Sequence, residues 1–224
     1  MAYASCRLLK RTILLTLIVW VLGGLTPAQL APSKPKEIFR DADGNLISNN
    51  EFVDLRLANS TDKEDPAVRT VLEDGTVEFR VASPRQEGTI APSFDVPDIN
   101  AKWINTDELK GKVIVLNLWF IGCTGCMDEI PKLSAMADRF KDNPDVVFIA
   151  VATNIPQDLR TFLRGNKFSY RHIGQGQSVM NLFKFSGYPK NVVIGRDGKI
   201  VYWRSNIRAW DKFESVIKTE LEKS

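Results

Sequence analysis

The sequence predicts an α/β fold, a mixed central sheet with helices on both faces, preceded by a small β-rich N-terminal appendage. Three observations carry this reading. First, Val113 to Phe120 is apolar at every position but Asn117, as suits a strand buried on both faces. Second, that run leads into Ile130, Leu133, Met136, Ala137 and Phe140, which recur at helical spacing, and then into another apolar run, Val146 to Thr153. Third, Asn191 to Ile194 and Ile200 to Trp203 flank Arg196-Asp197-Gly198-Lys199, a hairpin signal, ahead of a helix marked by Trp210, Phe213, Ile217 and Leu221. The order β–α–β–α, hairpin, α places antiparallel strands beside parallel ones.

At 224 residues the chain has room for one ordinary domain and a smaller appendage. Its formal charge of +3 comes from Arg7, Lys10 and Arg11; beyond them 27 basic residues balance 27 acidic ones. No basic field for nucleic acid is left. The first 31 residues read as a targeting segment: a positive start, the apolar stretch Ile13 to Leu25 broken only by Thr16, and Thr26-Pro27-Ala28 as a small-residue cleavage site. Uncleaved, residues 10–31 would instead anchor the chain in a membrane, with about 20 residues available to span it. Cys6 precedes the apolar run, so only Cys123 and Cys126 reach the exported side.

Residues 32–87 form the appendage. Pro32 and Pro35 open it as a polar linker. Glu37 to Ser48 then reads as strand, turn and strand, Glu51 to Leu57 as a short helix, and Val71 to Val81 as a second hairpin. The segment holds too few apolar residues for a core of its own, and no chemistry is visible in it. The main domain covers 88–224. Ala91 to Phe94 and Ile99 to Ile104 are entry strands or irregular segments, and Asp107 to Lys112 is a polar turn into the central strand. Pro156 to Arg164 is helical with proline in its first turn and Gly165 as its stop. Tyr170 to Ile173 is a short extended piece, and Val179 to Phe185 a short helix.

Cys123-Thr124-Gly125-Cys126 falls where the buried strand turns into the amphipathic helix. A helix N-terminus concentrates unpaired N–H groups and partial positive charge, which stabilises a thiolate on the first cysteine. This is the geometry of a redox site. Two other readings of the pair are weaker. A structural zinc needs four ligands, and only Cys6 and His172 are available besides, neither in a ligand pattern. A structural disulfide closing so short a loop gains little stability and leaves the helix start unexplained.

In order and in motif the chain resembles the thioredoxin fold, and more closely the TlpA/ResA-like group of exported or membrane-tethered thiol–disulfide oxidoreductases. The matching residues are Ala91-Pro92-Ser93-Phe94, Leu109 to Lys112, Leu116 to Trp119, Cys123 to Cys126, Glu129, Pro131, Gly187-Tyr188-Pro189 and Asp197 to Ile200. The resemblance covers residues 88–222. It implies that Cys123 attacks a substrate disulfide, that Cys126 resolves the mixed disulfide, and that the two cycle through a redox-active disulfide with no metal or other cofactor. It implies further that Glu129 assists proton transfer, that Pro189 is a cis-proline whose neighbour Tyr188 offers its backbone to an extended substrate, and that Pro131 kinks the redox helix. Asn117 stands where cytosolic thioredoxins carry a buried aspartate. Gly122 and the Thr124-Gly125 dipeptide depart from the family's usual residues.

Read on its own, Glu129 lies one helical turn after Cys126 on the same face, although a helix glutamate needs no role to be there. Pro189 read alone would be trans. His172 is a structural or surface residue, and Trp119 and Phe120 pack the strand end. The implied partners are disulfide-containing exported proteins and a membrane-bound or exported electron donor. A different class remains open: a redox sensor, or a soft-metal module holding Cu(I) through the same thiolates. Peroxide chemistry fits less well, because it places threonine three residues before the reactive cysteine, where this chain has Phe120.

Overall fold

A computed structural model describes residues 34–59, 67–185 and 187–223. The targeting segment expected at residues 1–31 lies outside them. The chain divides into two compact units after Lys36; residues 34–36 of the first are irregular, and the second is Glu37–Ser224.

The second unit begins with Glu37–Arg40 (β1) and Leu46–Ile47 (β2), an antiparallel hairpin. Asn49–Asn59 (α1) follows, its start capped by Ser48 Oγ, which accepts from Glu51 N at 3.1 Å. Ala67–Val71 (β3) and Val77–Val81 (β4) form the second hairpin. The first hairpin follows the sequence reading; the second turns where expected, but its first strand begins at Ala67, four residues before the Val71 the sequence marked, and the union of the two was not legible. β1 pairs in parallel with β4, giving one sheet of order β2-β1-β4-β3. The expectation that this segment lacks a core of its own is corrected. Phe39, Phe52 and Phe79 meet at centroid distances of 4.8 to 5.9 Å over buried Leu55 and Val81. Three aromatics from two strands and a helix suffice because each buries a large area at one point.

Asp95–Pro97 (β5) and Trp103–Asn105 (β6) make a small antiparallel pair. The central sheet is built from Val113–Trp119 (β7), Val146–Ala152 (β8), Arg171–Ile173 (β9), Lys190–Ile194 (β10) and Ile200–Arg204 (β11) in the order β11-β10-β7-β8-β9. β7, β8 and β9 run parallel; β10 and β11 are antiparallel to their neighbours. Its helices are Thr124–Arg139 (α2), Pro156–Gly165 (α3), Gln177–Leu182 (α4) and Trp210–Glu222 (α5). α4 starts two residues earlier and ends three earlier than the sequence pattern suggested; Phe183 caps it and Lys184, at φ 45°, turns the chain away.

All seven residues of β7 are buried. Alternation along the strand divides them between two faces. Val113, Val115 and Trp119 pack with Ile130 and Leu133 of α2, Leu159 of α3, and Phe213 and Ile217 of α5. Ile114, Leu116 and Leu118 pack with Val179 and Met180 of α4, Phe94 and Trp203. Each fully buried aliphatic side chain contributes ~1.5–3 kcal/mol, so β7 anchors both layers. Asn117, between Val115 and Trp119 in this alternation, faces α2.

Candidate active site

β7 delivers the chain to the end of the sheet, and Phe120-Ile121-Gly122 makes the turn. Gly122 at φ 96° occupies the left-handed region, where a side chain would be strained. Ile121 N donates to Asn154 Oδ1 at 2.8 Å, which fixes the turn to the end of β8. Cys123 is then the N-cap of α2, and its sulfur accepts from Cys126 N at 3.2 Å. No acidic residue lies in the first turn of α2 to oppose a negative sulfur there.

Cys123 and Cys126 are joined in a disulfide with Sγ atoms 2.09 Å apart. Cys123 is 8% exposed and Cys126 1%, so both are buried and Cys123 is the more accessible of the two. The Tyr188–Pro189 peptide is cis, and Pro189 is buried. A Cβ on Gly125 would come within 3.3 Å of both Pro189 Cδ and Asn206 Nδ2, so the proline loop and the 205–209 segment close over the dipeptide. Tyr188 is partly exposed; Phe120 and Phe185 stand edge-on to its ring at 5.1 and 5.2 Å. Phe120 is thus a packing partner of the proline loop.

Glu129, one turn below Cys126, is 5% exposed. Its Oε2 accepts from Asn191 Nδ2 at 2.9 Å and its Oε1 from Ile207 N at 2.5 Å. Asn117 Nδ2 donates in turn to Asn191 Oδ1 at 2.8 Å. A line of amides therefore runs from the central strand to the carboxyl. Burial pushes the Glu129 carboxyl up to about 7. The hydrogen bonds from Asn191 and Ile207 oppose that rise, while the charges of Asp54 (upward) and Arg208 (downward) act more weakly. Asp128 beside it is exposed and faces away.

The structure thus gathers Cys123, Cys126, Glu129, Tyr188 and Pro189 around one end of the sheet. His172 is elsewhere in role: its Nε2 lies 3.0 Å from Phe168 O, its ring meets Trp119 edge-on, and burial pushes it below the ordinary histidine value. Sequence reasoning missed Asn191, Ile207 and Asn206. Asn191 did carry a signal, a lone amide in an apolar strand opposite Asn117. The other two act from an irregular segment and carried none.

A dithiol–disulfide couple at a strand-to-helix turn, closed by a cis-proline loop in a mixed sheet, defines a thioredoxin-fold enzyme of thiol–disulfide exchange. Residues 88–203 match the model of the AhpC/TSA family. The chain belongs to that family. It is 30% identical over 118 residues to "Thiol-disulfide oxidoreductase ResA" of Bacillus thuringiensis (strain Al Hakam), covering 52% of this chain and 68% of that one. The protein of the same name from Bacillus subtilis (strain 168) is 28% identical over 119 residues, 51% of this chain and 65% of its own length. In fold the chain is similar to the crystal structure of a thiol:disulfide interchange protein of the thioredoxin family from Chlorobium tepidum TLS, with a TM-score of 0.54 and 21% identity. That match covers 59% of this chain and 96% of the other.

The unequal exposure of the two cysteines sets a chemical expectation. In the reduced protein at neutral pH, iodoacetamide is expected to label Cys123 before Cys126, because Cys123 is the more accessible and sits at the helix start, where positive partial charge favours a thiolate. Peptide mapping over a time course checks this; equal labelling rates would reverse the assignment.

Proposed function

We propose that this chain reduces disulfide bonds of exported proteins through a Cys123/Cys126 cycle. Cys123 thiolate attacks one sulfur of a substrate disulfide, and the other sulfur leaves as a thiolate that takes up a proton. Cys126 then loses its proton to the Glu129 carboxylate and attacks Cys123 Sγ. The second substrate sulfur is displaced, and two electrons have passed from the dithiol to the substrate. The product on the enzyme is the Cys123–Cys126 disulfide. A thiol reductant, membrane-bound or exported, returns the dithiol by the reverse exchange.

The observation that carries this reading is the disulfide itself, with Cys123 as helix cap and the more accessible cysteine, and Cys126 one turn above a buried carboxyl. Tyr188, half open beside Pro189, is the backbone edge on which an extended substrate would lie. The basic and apolar pattern of residues 1–31 supports export, with anchorage through residues 10–31 where it is not cleaved. Among the described residues no helix is long and apolar enough to cross a membrane.

Catalytic turnover separates this function from a sensor or Cu(I) module. With a regenerating small dithiol in excess, the protein is expected to reduce many equivalents of a protein disulfide per molecule. A single stoichiometric exchange with no further turnover would instead favour the sensor or metal-binding reading.

A further inference from the structure

Asp54 lies on α1, in the segment where the sequence showed no chemistry, and it is 1% exposed. It makes no hydrogen bond to the redox residues. Its Oδ2 accepts from Arg208 N at 2.8 Å and from Ala209 N at 2.9 Å, and Arg208 Nη1 lies 3.5 Å from Oδ1. These are the last backbone donors before α5, whose N-cap, Ala209, has no side chain able to cap it. From 154 residues away Asp54 thus holds the chain just ahead of this helix, whose own first-turn carboxylate, Asp211, lies beyond the N-cap. A second tie runs parallel to it, Lys212 Nζ to Glu51 Oε1 at 3.1 Å.

The segment so held is a wall of the redox site. Ile207 N binds Glu129 Oε1, and Asn206 lies against Gly125. Ser205 O accepts from Asn191 Nδ2 at 3.3 Å, and Ser205 Oγ from Lys190 Nζ at 2.8 Å. Three successive amides, 207 to 209, therefore point at two buried carboxylates, the first at Glu129 and the next two at Asp54. Moving the Asp54 end moves the Glu129 end.

We infer that Asp54 is a positioning residue of the redox site, which makes the N-terminal β-rich segment part of the enzyme's proton-transfer apparatus through the 205–209 segment. The inference rests on the role of Glu129 given under the proposed function. Other groups feel the Glu129 charge as well: Arg208 from the same segment, Tyr170 just ahead of β9, and Tyr202 of β11. Asp54 is the carboxylate among them. Its negative charge disfavours ionisation of Glu129, so neutralising it moves the rate inflection down in pH.

The test is a cycle of Asp54→Asn, Glu129→Gln and the double variant, with stopped-flow disulfide exchange followed across pH 5–9. Asp54→Asn is expected to lower the inflection by on the order of half a pH unit and to slow exchange above it by about three-fold. In the Glu129→Gln background the same change is expected to do nothing further, because both act through one carboxyl. An unshifted inflection, or equal slowing in both backgrounds, overturns the inference while leaving Glu129 in place. A Glu129→Gln variant with wild-type rates overturns the Glu129 role and this inference together. Should Asp54→Asn not fold, hydrogen exchange of the wild type decides. The amides of Ile207, Arg208 and Ala209 are expected to be protected and to open together with those of α1; exchange at the rate of an open loop overturns the coupling.

Discussion

Cys126→Ser is expected to stop the cycle at its midpoint, with the substrate held on Cys123 as a mixed disulfide and turnover reduced to the background of the free reductant. The reason is positional. Cys123 retains everything that suits it to attack: its greater accessibility of the two, the helix start and a first turn free of carboxylates. What is lost is the only other sulfur within reach, since the bonded pair is three residues apart and the described chain has no third cysteine. A serine hydroxyl cannot displace a thiolate from sulfur under these conditions, so the adduct waits for an external thiol. Non-reducing electrophoresis with mass spectrometry of the linked peptide reads the result. Cys123→Ser is expected to give no adduct at all. Adducts on Cys126 in that variant would exchange the two roles.

Glu129→Gln is expected to slow exchange by up to ~10²-fold above neutrality, the low end of general-base effects. The need for a base arises from burial. Cys126 is 1% exposed, and desolvation holds its thiol protonated until an acceptor is present. Asn117 cannot serve, as an amide does not titrate near neutral pH, and its Nδ2 is already engaged with Asn191. His172 is tied to Phe168, and Asp128 faces solvent. The Glu129 carboxyl, pushed up to about 7 by burial, is mostly protonated below that pH and ionised above it. Only the ionised form accepts a proton. The wild-type rate should therefore rise through pH 7 and level off, and this limb should be missing in the variant, whose rate approaches the wild-type rate only on the acid side. Glutamine keeps the shape but offers one oxygen to two donors, so one of Asn191 and Ile207 goes short at a cost of ~1–3 kcal/mol. Thermal unfolding of the variant distinguishes this cost from a loss of chemistry. An unchanged pH profile would make Glu129 a helix residue and leave the proton to water or the substrate.

What the sequence made legible was local. The strand before Cys123, the helix after it and the hairpin near Asp197 each declare themselves within a dozen residues, through apolar runs, helical spacing or a turn dipeptide. Cys123, Cys126 and Glu129 share that advantage, since one strand-to-helix junction positions all three. The remainder of the site is assembled from pairs far apart in the chain. Asn191 meets Glu129 across 62 residues and Ile207 meets it across 78. No periodicity encodes such meetings; the pairing of β10 with β7 and the path of the chain after β11 create them. Asp54 was hidden for the same reason, and for another: an aspartate in an amphipathic helix reads as solvated until the tertiary fold covers it. The N-terminal core was underestimated because Phe39, Phe52 and Phe79 are sparse in sequence and become a cluster only when β1 and β4 lie side by side.

Gly125 bears on how this enzyme could be re-engineered. The two positions between the paired cysteines are unequal here. Thr124 is exposed and open to exchange for a charged or aromatic residue. At Gly125 even a methyl group would press at 3.3 Å on the ring of Pro189 and the amide of Asn206. A larger residue there meets the Pro189 ring and the Asn206 side chain, one of which must give way. A library randomised at both positions would therefore vary exposed chemistry through residue 124 and local packing through residue 125.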